Sequence, residues 1–160
     1  DFLEELEEEL KNEEVEDTNL VKKETILQKI AKLNMAEKLK TALLGNSEAR
    51  SILIRDPNKL ISNAVLRNPR ITETEIVVIS QSKIVSDEIL RQISETRKWS
   101  KLYQVKLSLV NNPKTPPHIS LNFLRHLREV DVKALMWNKN LPGVVTNSAR
   151  NLYKDSRSKK

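Results

Sequence analysis

Apolar residues recur along this chain in short runs at helical spacing, and each run is closed by polar punctuation. Ile26, Leu27, Ile30 and Leu33 share one helical face, so a first helix is expected from near Thr18–Asn19. Asn34 and Glu37 then have the spacing of a capping box that ends this helix and opens the next. The second helix carries Met35, Leu39 and Leu43, with Gly45 at the position of a C′ glycine. Ser47 is expected to cap residues 48–54. Asp56 followed by Pro57 reads as an N-cap with proline at N1, opening residues 58–66. Thr72 and Glu75 form a capping box for residues 73–80, and Ser86 caps 87–95. Further along, Ser100 is expected to cap 101–110, Thr115-Pro116 to open a helix reaching about Leu127, and Asp131 to cap a helix through Trp137. Pro142 opens the last helix, whose apolar face is Val144, Val145, Ala149 and Leu152. The end, residues 154–160, is basic and expected to be disordered.

These punctuation marks repeat. Ala64-Val65-Leu66-Arg67-Asn68-Pro69-Arg70-Ile71 aligns with Val77-Val78-Ile79-Ser80-Gln81-Ser82-Lys83-Ile84 at an offset of 13. Ser108-Leu109-Val110-Asn111-Asn112-Pro113-Lys114-Thr115 has the same form, and Ala134-Leu135-Met136-Trp137-Asn138-Lys139-Asn140-Leu141 follows at 26. Residues 96–104 break the period. Helices of two or three turns are marginal alone in water, so such units must be held by their neighbours. The expected fold is therefore all-α: an irregular α-solenoid of short stacked antiparallel helices.

Composition agrees with this reading. The chain of 160 residues has only 2 Gly, too few for the tight turns of a strand-rich fold. It has no Cys, which removes disulfide frameworks, thiolate metal sites and cysteine nucleophiles. His118 and His126 have no cysteine partners, and no metal or cofactor is expected. No apolar run is long enough to span a membrane, so no membrane insertion is expected. The lack of Cys and of a signal or lipidation motif fits a cytoplasmic setting. The sequence begins with Asp1 rather than Met, so a fragment or processed product is expected.

Charge divides the chain. Residues 1–17 hold ten acids and one base, a net −9, whereas the other 143 residues hold 12 acids and 27 bases, a net +15. Three segments are therefore expected: an acidic leader or linker over 1–17, a helical repeat domain over 18–153, and the basic tail over 154–160.

The run Glu37-Lys38-Leu39-Lys40-Thr41-Ala42-Leu43-Leu44-Gly45-Asn46-Ser47-Glu48-Ala49-Arg50-Ser51-Ile52-Leu53-Ile54-Arg55-Asp56-Pro57-Asn58 resembles a signature of uncharacterised bacterial proteins. So does Ala64-Val65-Leu66-Arg67-Asn68-Pro69-Arg70-Ile71-Thr72. The resemblance covers roughly residues 25–153, and more broadly the chain is similar to HEAT-like and leucine-rich-repeat-variant repeats. It implies a helical module following an acidic linker, and no activity.

Candidate sites lie at the turns and at the aromatics. Arg70, Lys83 and Lys114 are assigned one repeat position, Lys139 lies close to it, and Arg55 and Arg67 precede neighbouring turns. Together they would form a basic edge able to follow phosphates or an acidic partner. The plainer reading is that turns are solvated and cations are ordinary there. Trp99 and Tyr103, flanked by Arg97, Lys98, Lys101 and Lys106, could stack a base or peptide. The plainer reading for these two, and for Trp137, is core at an irregular joint. Asn46, Asn68, Asn112 and Asn138 are expected to satisfy helix-end backbone groups.

No nucleophile, acid and base converge in the sequence, so an enzyme is not expected. The expected function is a non-catalytic protein–protein interaction or adaptor module. The alternative is a nucleic-acid-binding repeat protein that uses the basic turn edge. The sequence does not fix an oligomeric state.

Overall fold

The structure, a computed structural model, describes residues 19–159, with side chains from Thr25. The acidic leader 1–17 lies outside the described residues. Every regular element among them is an α-helix. The chain divides into two compact units between Ile71 and Thr72.

The first unit contains α1 (Asn19–Ala31), α2 (Met35–Leu44), α3 (Ser47–Leu53) and α4 (Lys59–Leu66). In it α2 packs on α3 and α4, and α3 also touches α1 and α4. Ile26 and Ile30 are buried as the periodicity predicts, but Leu27 is exposed. The Asn34–Glu37 capping box forms in both directions: Glu37 N–H donates to Asn34 Oδ1 at 2.9 Å and Asn34 N–H to Glu37 Oε2 at 2.8 Å.

Three local expectations change here. Asn46, rather than Ser47, caps α3, because its extended backbone aims Oδ1 at the Ala49 N–H, 3.0 Å away. Asn58, rather than Asp56, caps α4, its Oδ1 accepting from Leu60 N–H. Asp56 is occupied by the Asn58 N–H at 2.8 Å and by Lys38 Nζ at 3.4 Å. Gly45 is extended (φ −72°), not left-handed. What it supplies is space: a Cβ there would lie 2.5 Å from the Thr41 carbonyl oxygen.

The second unit contains α5 (Glu73–Gln81), α6 (Asp87–Glu95), α7 (Arg97–Ser100), α8 (Tyr103–Val110), α9 (Pro117–Leu124), α10 (Glu129–Leu135) and α11 (Gly143–Ser158). Here α5 packs on α6 and α8, α8 also packs on α9, and both α9 and α10 pack on α11. The Thr72–Glu75 box and the Ser86 cap form as expected. A buried cluster of Val110, Leu124, Leu127, Val132, Leu135, Met136, Leu141, Val145 and Ala149 joins α8 to α11. Each fully buried aliphatic side chain of this kind contributes about 1.5–3 kcal/mol, which offsets the weakness of two-turn helices.

Boundaries differ where no side chain marks them. The helix expected over 101–110 with Ser100 as its cap is α8, which starts at Tyr103 after an extended Leu102, while Ser100 ends the separate short helix α7; neither helix has a side-chain cap at its start. The helix expected to reach about Leu127 begins at Pro117 and stops at Leu124. Asp131 lies in the first turn of α10, whose N-cap residue is Arg128, because its carboxylate is taken by the Tyr103 hydroxyl. At the C-terminal end α11 continues through Ser158. Leu152 and Tyr153 pack against the buried cluster, and the Ser156 hydroxyl donates to the Tyr153 carbonyl.

Candidate functional site

One turn recurs five times and sets where exposed side chains fall. In each copy an Asp, Asn or Ser side-chain oxygen accepts the backbone N–H two residues on: Asn58 to Asp56, Arg70 to Asn68, Ile84 to Ser82, Lys114 to Asn112 and Asn140 to Asn138. These are Asx-type turns, and the serine copy uses its hydroxyl. In all five the turn residue's own N–H reaches back three residues to a helix-end carbonyl.

Burial follows the same register. The two residues at each helix end are buried in every copy: Leu53-Ile54, Val65-Leu66, Ile79-Ser80, Leu109-Val110 and Leu135-Met136. The next residue, immediately before the turn residue, is exposed in every copy: Arg55, Arg67, Gln81, Asn111 and Trp137. Four of the five are polar. Trp137, 72% exposed, is the exception.

This register corrects the basic edge. Ser82, not Gln81, stands where Asn68 stands, so Ile84 corresponds to Arg70. Lys83 and Lys139 then share the position of Pro57, Pro69 and Pro113, one residue before the rung of Arg70 and Lys114. That rung holds Asn58, Arg70, Ile84, Lys114 and Asn140, so only two of five copies are cationic. All six proposed cations, Arg55, Arg67, Arg70, Lys83, Lys114 and Lys139, are exposed. The turns distribute them over three different positions.

The two most buried turn asparagines do more than turn the chain. Asn68, 2% exposed, donates through Nδ2 to the carbonyls of Ala42 (3.1 Å) and Gly45 (3.0 Å) at the end of α2. Asn112, 3% exposed, donates to those of Ser80 and Ser82 at the end of α5, both at 2.8 Å. Each clamp ties the C-terminal end of one helix to that of the helix packed on it, α2 to α4 and α5 to α8. It satisfies carbonyls that no intrahelical N–H reaches. At Asn138 a different group serves: Arg150 Nη2 donates to the Met136 carbonyl at 3.0 Å.

The aromatic pair separates. Trp99 is 5% exposed, with the Lys98 ammonium 4.7 Å from its ring centroid, so it is core rather than a stacking platform. Tyr103 is half-buried. Its hydroxyl donates to Asp131 and accepts from Arg128 N–H at 3.0 Å, and the Arg128 guanidinium lies 4.7 Å from its ring centroid. Burial, and then the bond to Asp131, push the phenol above its ordinary value of 10.0. The folded state therefore favours the protonated form. The stability this contributes is complete below the phenol's ordinary value and is lost as pH rises through the raised one. Tyr103→Phe is expected to cost about 1 kcal/mol at neutral pH. It should also flatten the alkaline decline of the urea midpoint, measured at neutral and alkaline pH.

His118 helps line a hollow of about 300 Å³ with Ser94, Glu95, Ile119, Asn122 and Phe123, and His126 is exposed. Among the described residues no three His, Cys, Asp or Glu side chains are grouped to hold a metal. None of the described helices is long and apolar enough to cross a membrane.

Trp137, for which core at an irregular joint is the plainer reading of the sequence, is instead exposed. Val130 and Ala134 on α10 and Trp137, two residues past its end, fall at i, i+4 and i+7, and all three are exposed, Val130 to 69%. Val132, Leu135 and Met136 occupy the opposite, buried face. The signal was present in the repeat itself, as the one aromatic at a position that is otherwise polar.

Fold and site together define an all-α protein of short helices joined by repeated Asx turns. The chain matches no family model, and neither a curated protein nor a solved structure matches it significantly.

Proposed function

We propose that this chain is a non-catalytic protein-binding or adaptor module, built as an irregular HEAT-like α-solenoid. Short helices in one recurring register, held to their neighbours through clamped ends, support the repeat reading. The observation that carries the binding reading is Trp137. A tryptophan held in water just past the end of α10, at helical spacing from the exposed Val130 and Ala134 of that helix, costs solubility and contributes nothing to the core. Tryptophan is also the residue type most enriched among interface hot spots.

The alternative, nucleic-acid binding along a basic turn edge, has weaker support, because equivalent turn positions alternate between cations, amides and an isoleucine. Affinity capture from the native host with the wild-type chain and Trp137→Lys separates the two. The protein-binding reading expects a protein partner whose recovery falls about tenfold or more in the variant, the equivalent of ~1.4 kcal/mol. Equal recovery would sink this reading. Nuclease-sensitive recovery that falls steeply with salt would favour the alternative.

A further inference from the structure

A cationic track on α11 begins beside Trp137. Arg150 Nη2 donates to the Met136 carbonyl at 3.0 Å, so its guanidinium lies against the peptide bond that joins Met136 to Trp137. Its Nη1 donates to Asn147 Oδ1 at 2.9 Å. Lys154 and Arg157 follow one and two turns further along α11, on the same exposed side as Arg150. Val145, Ala149 and Leu152 take the other side, against the buried cluster. At about 1.5 Å of rise per residue, the track from Arg150 to Arg157 is about 10 Å long. Lys139, two residues past Trp137, and Lys133, four before it, are exposed as well.

Little neutralises this charge. From 132 to 158 the chain holds five Lys and Arg against one acid, Asp155. Asp155 sits about 100° round α11 from Lys154, and further still from Arg150 and Arg157. The two acids of α10 lie elsewhere: Asp131 is taken by the Tyr103 hydroxyl, and Glu129 opens the helix eight residues before Trp137. Arg150 is held by a carbonyl and an amide, and Arg157 by the Tyr153 hydroxyl at 3.2 Å, all neutral groups. Among the described residues, none of Lys133, Lys139, Arg150, Lys154 and Arg157 has a carboxylate partner.

An occupant that fits has an apolar side chain to cover the indole, joined to acids that follow α11. An extended chain advances about 3.3–3.6 Å per residue, so about three residues span the track. We propose that the partner of this module presents a short acidic peptide, anchored by an apolar side chain on Trp137 and laid along Arg150, Lys154 and Arg157. The proposal rests on the protein-binding reading and adds the partner's chemistry to it. A single-stranded nucleic acid fits less well. Such sites stack successive bases on several rings. Here Trp137 is the only exposed aromatic among the described residues, and the half-buried Tyr153 ring has the Arg157 guanidinium 5.8 Å from its centroid.

Panning a phage-displayed library of random peptides against the full chain tests this. Enriched peptides should carry Asp or Glu close to Leu, Ile, Phe or Trp. Synthesised with a fluorophore and titrated by anisotropy, they should bind Trp137→Lys about tenfold or more weakly, and their affinity should fall as salt rises. Combined Lys139→Glu and Lys154→Glu substitutions should weaken them by a similar factor. Combined Lys83→Glu and Lys114→Glu substitutions make the same change in net charge at other turns and should leave binding unaltered.

No enriched peptide would overturn the proposal. Enriched peptides that are neutral or basic would do the same; where those still depend on Trp137, the protein-binding reading stands without it. Equal weakening by the Lys83→Glu and Lys114→Glu pair would also overturn it, by reducing the effect to net charge. So would a single-stranded oligonucleotide that binds through the same residues more tightly than any enriched peptide.

Discussion

Replacing Asn112 with alanine is expected to lower stability by about 2–4 kcal/mol, because it strips the Ser80 and Ser82 carbonyls of their donor at once. Both bonds are 2.8 Å long and the side chain is almost fully buried, so water cannot replace the lost amide without entering the α5–α8 contact. The Lys114 N–H also loses its 3.0 Å acceptor, which loosens the turn that starts the next segment. Asn112→Asp sharpens the test. It retains the acceptor for Lys114 but turns a carboxylate oxygen toward two carbonyl oxygens, and its penalty at neutral pH should exceed that of alanine. Burial and the facing carbonyls raise the pKa of such a carboxyl above its unfolded value. The penalty therefore grows as pH rises between the two values, and it shrinks on acidification, when a protonated carboxyl can donate. Urea unfolding should show a lower midpoint with an unchanged slope. Asn138→Ala, where no second helix end is clamped by Nδ2, should cost clearly less.

Gly45→Ala is the second large effect, expected at about 1–3 kcal/mol. The added methyl would sit 2.5 Å from the Thr41 carbonyl oxygen and 3.1 Å from the Ala49 Cβ. The obstacle at closest range is backbone, so no rotamer change relieves it. Nor can Gly45 move freely. Its N–H is bonded to that same Thr41 carbonyl at 2.7 Å, and its own carbonyl accepts from Arg50 Nη1 at 2.8 Å and Asn68 Nδ2 at 3.0 Å. Any shift that clears the methyl stretches the clamp between α2 and α4. Gly143→Ala is the matched control. A Cβ there meets nothing within 4 Å, so that substitution should be neutral or stabilise by up to about 1 kcal/mol. Thermal or urea midpoints of the two variants, compared side by side, give the contrast.

The boundaries legible in the sequence were those written in side chains. Asn34 with Glu37, Thr72 with Glu75, and Ser86 act within three residues of themselves, so the pattern carries the geometry. Asp56 and Asp131 looked like caps because aspartate is a good one, but each had a partner that local spacing cannot disclose: Lys38 eighteen residues upstream of Asp56, and Tyr103 twenty-eight upstream of Asp131. The break between α7 and α8 has no side-chain cap at all. The repeat was visible, yet its register at Ser82 was off by one residue. Apolar likeness aligned Gln81 with Asn68, whereas the Ile84 N–H, donating to the Ser82 hydroxyl, places Ser82 there. That one residue decides whether Lys83 joins a ladder with Arg70. Asn46, Asn68 and Asn112 satisfy helix-end groups as expected, although at Asn68 and Asn112 the carbonyls belong to a helix far upstream, which only tertiary packing reveals; Asn138 instead accepts the turn N–H of Asn140. Trp137 was readable once the five turns were superposed, since the residue before each turn faces water.

The central proposal is that these helices form repeats held pairwise by asparagine clamps. Residue-resolved amide exchange of Asn112→Ala, compared with the unaltered chain under native conditions, tests it most directly. Nearest-neighbour coupling predicts that amides of α5 and α8 lose protection while those of α2 and α4, clamped by Asn68, keep theirs. A uniform loss of protection through all four helices would contradict it, since it would show one cooperative core in which the clamps have no separate role.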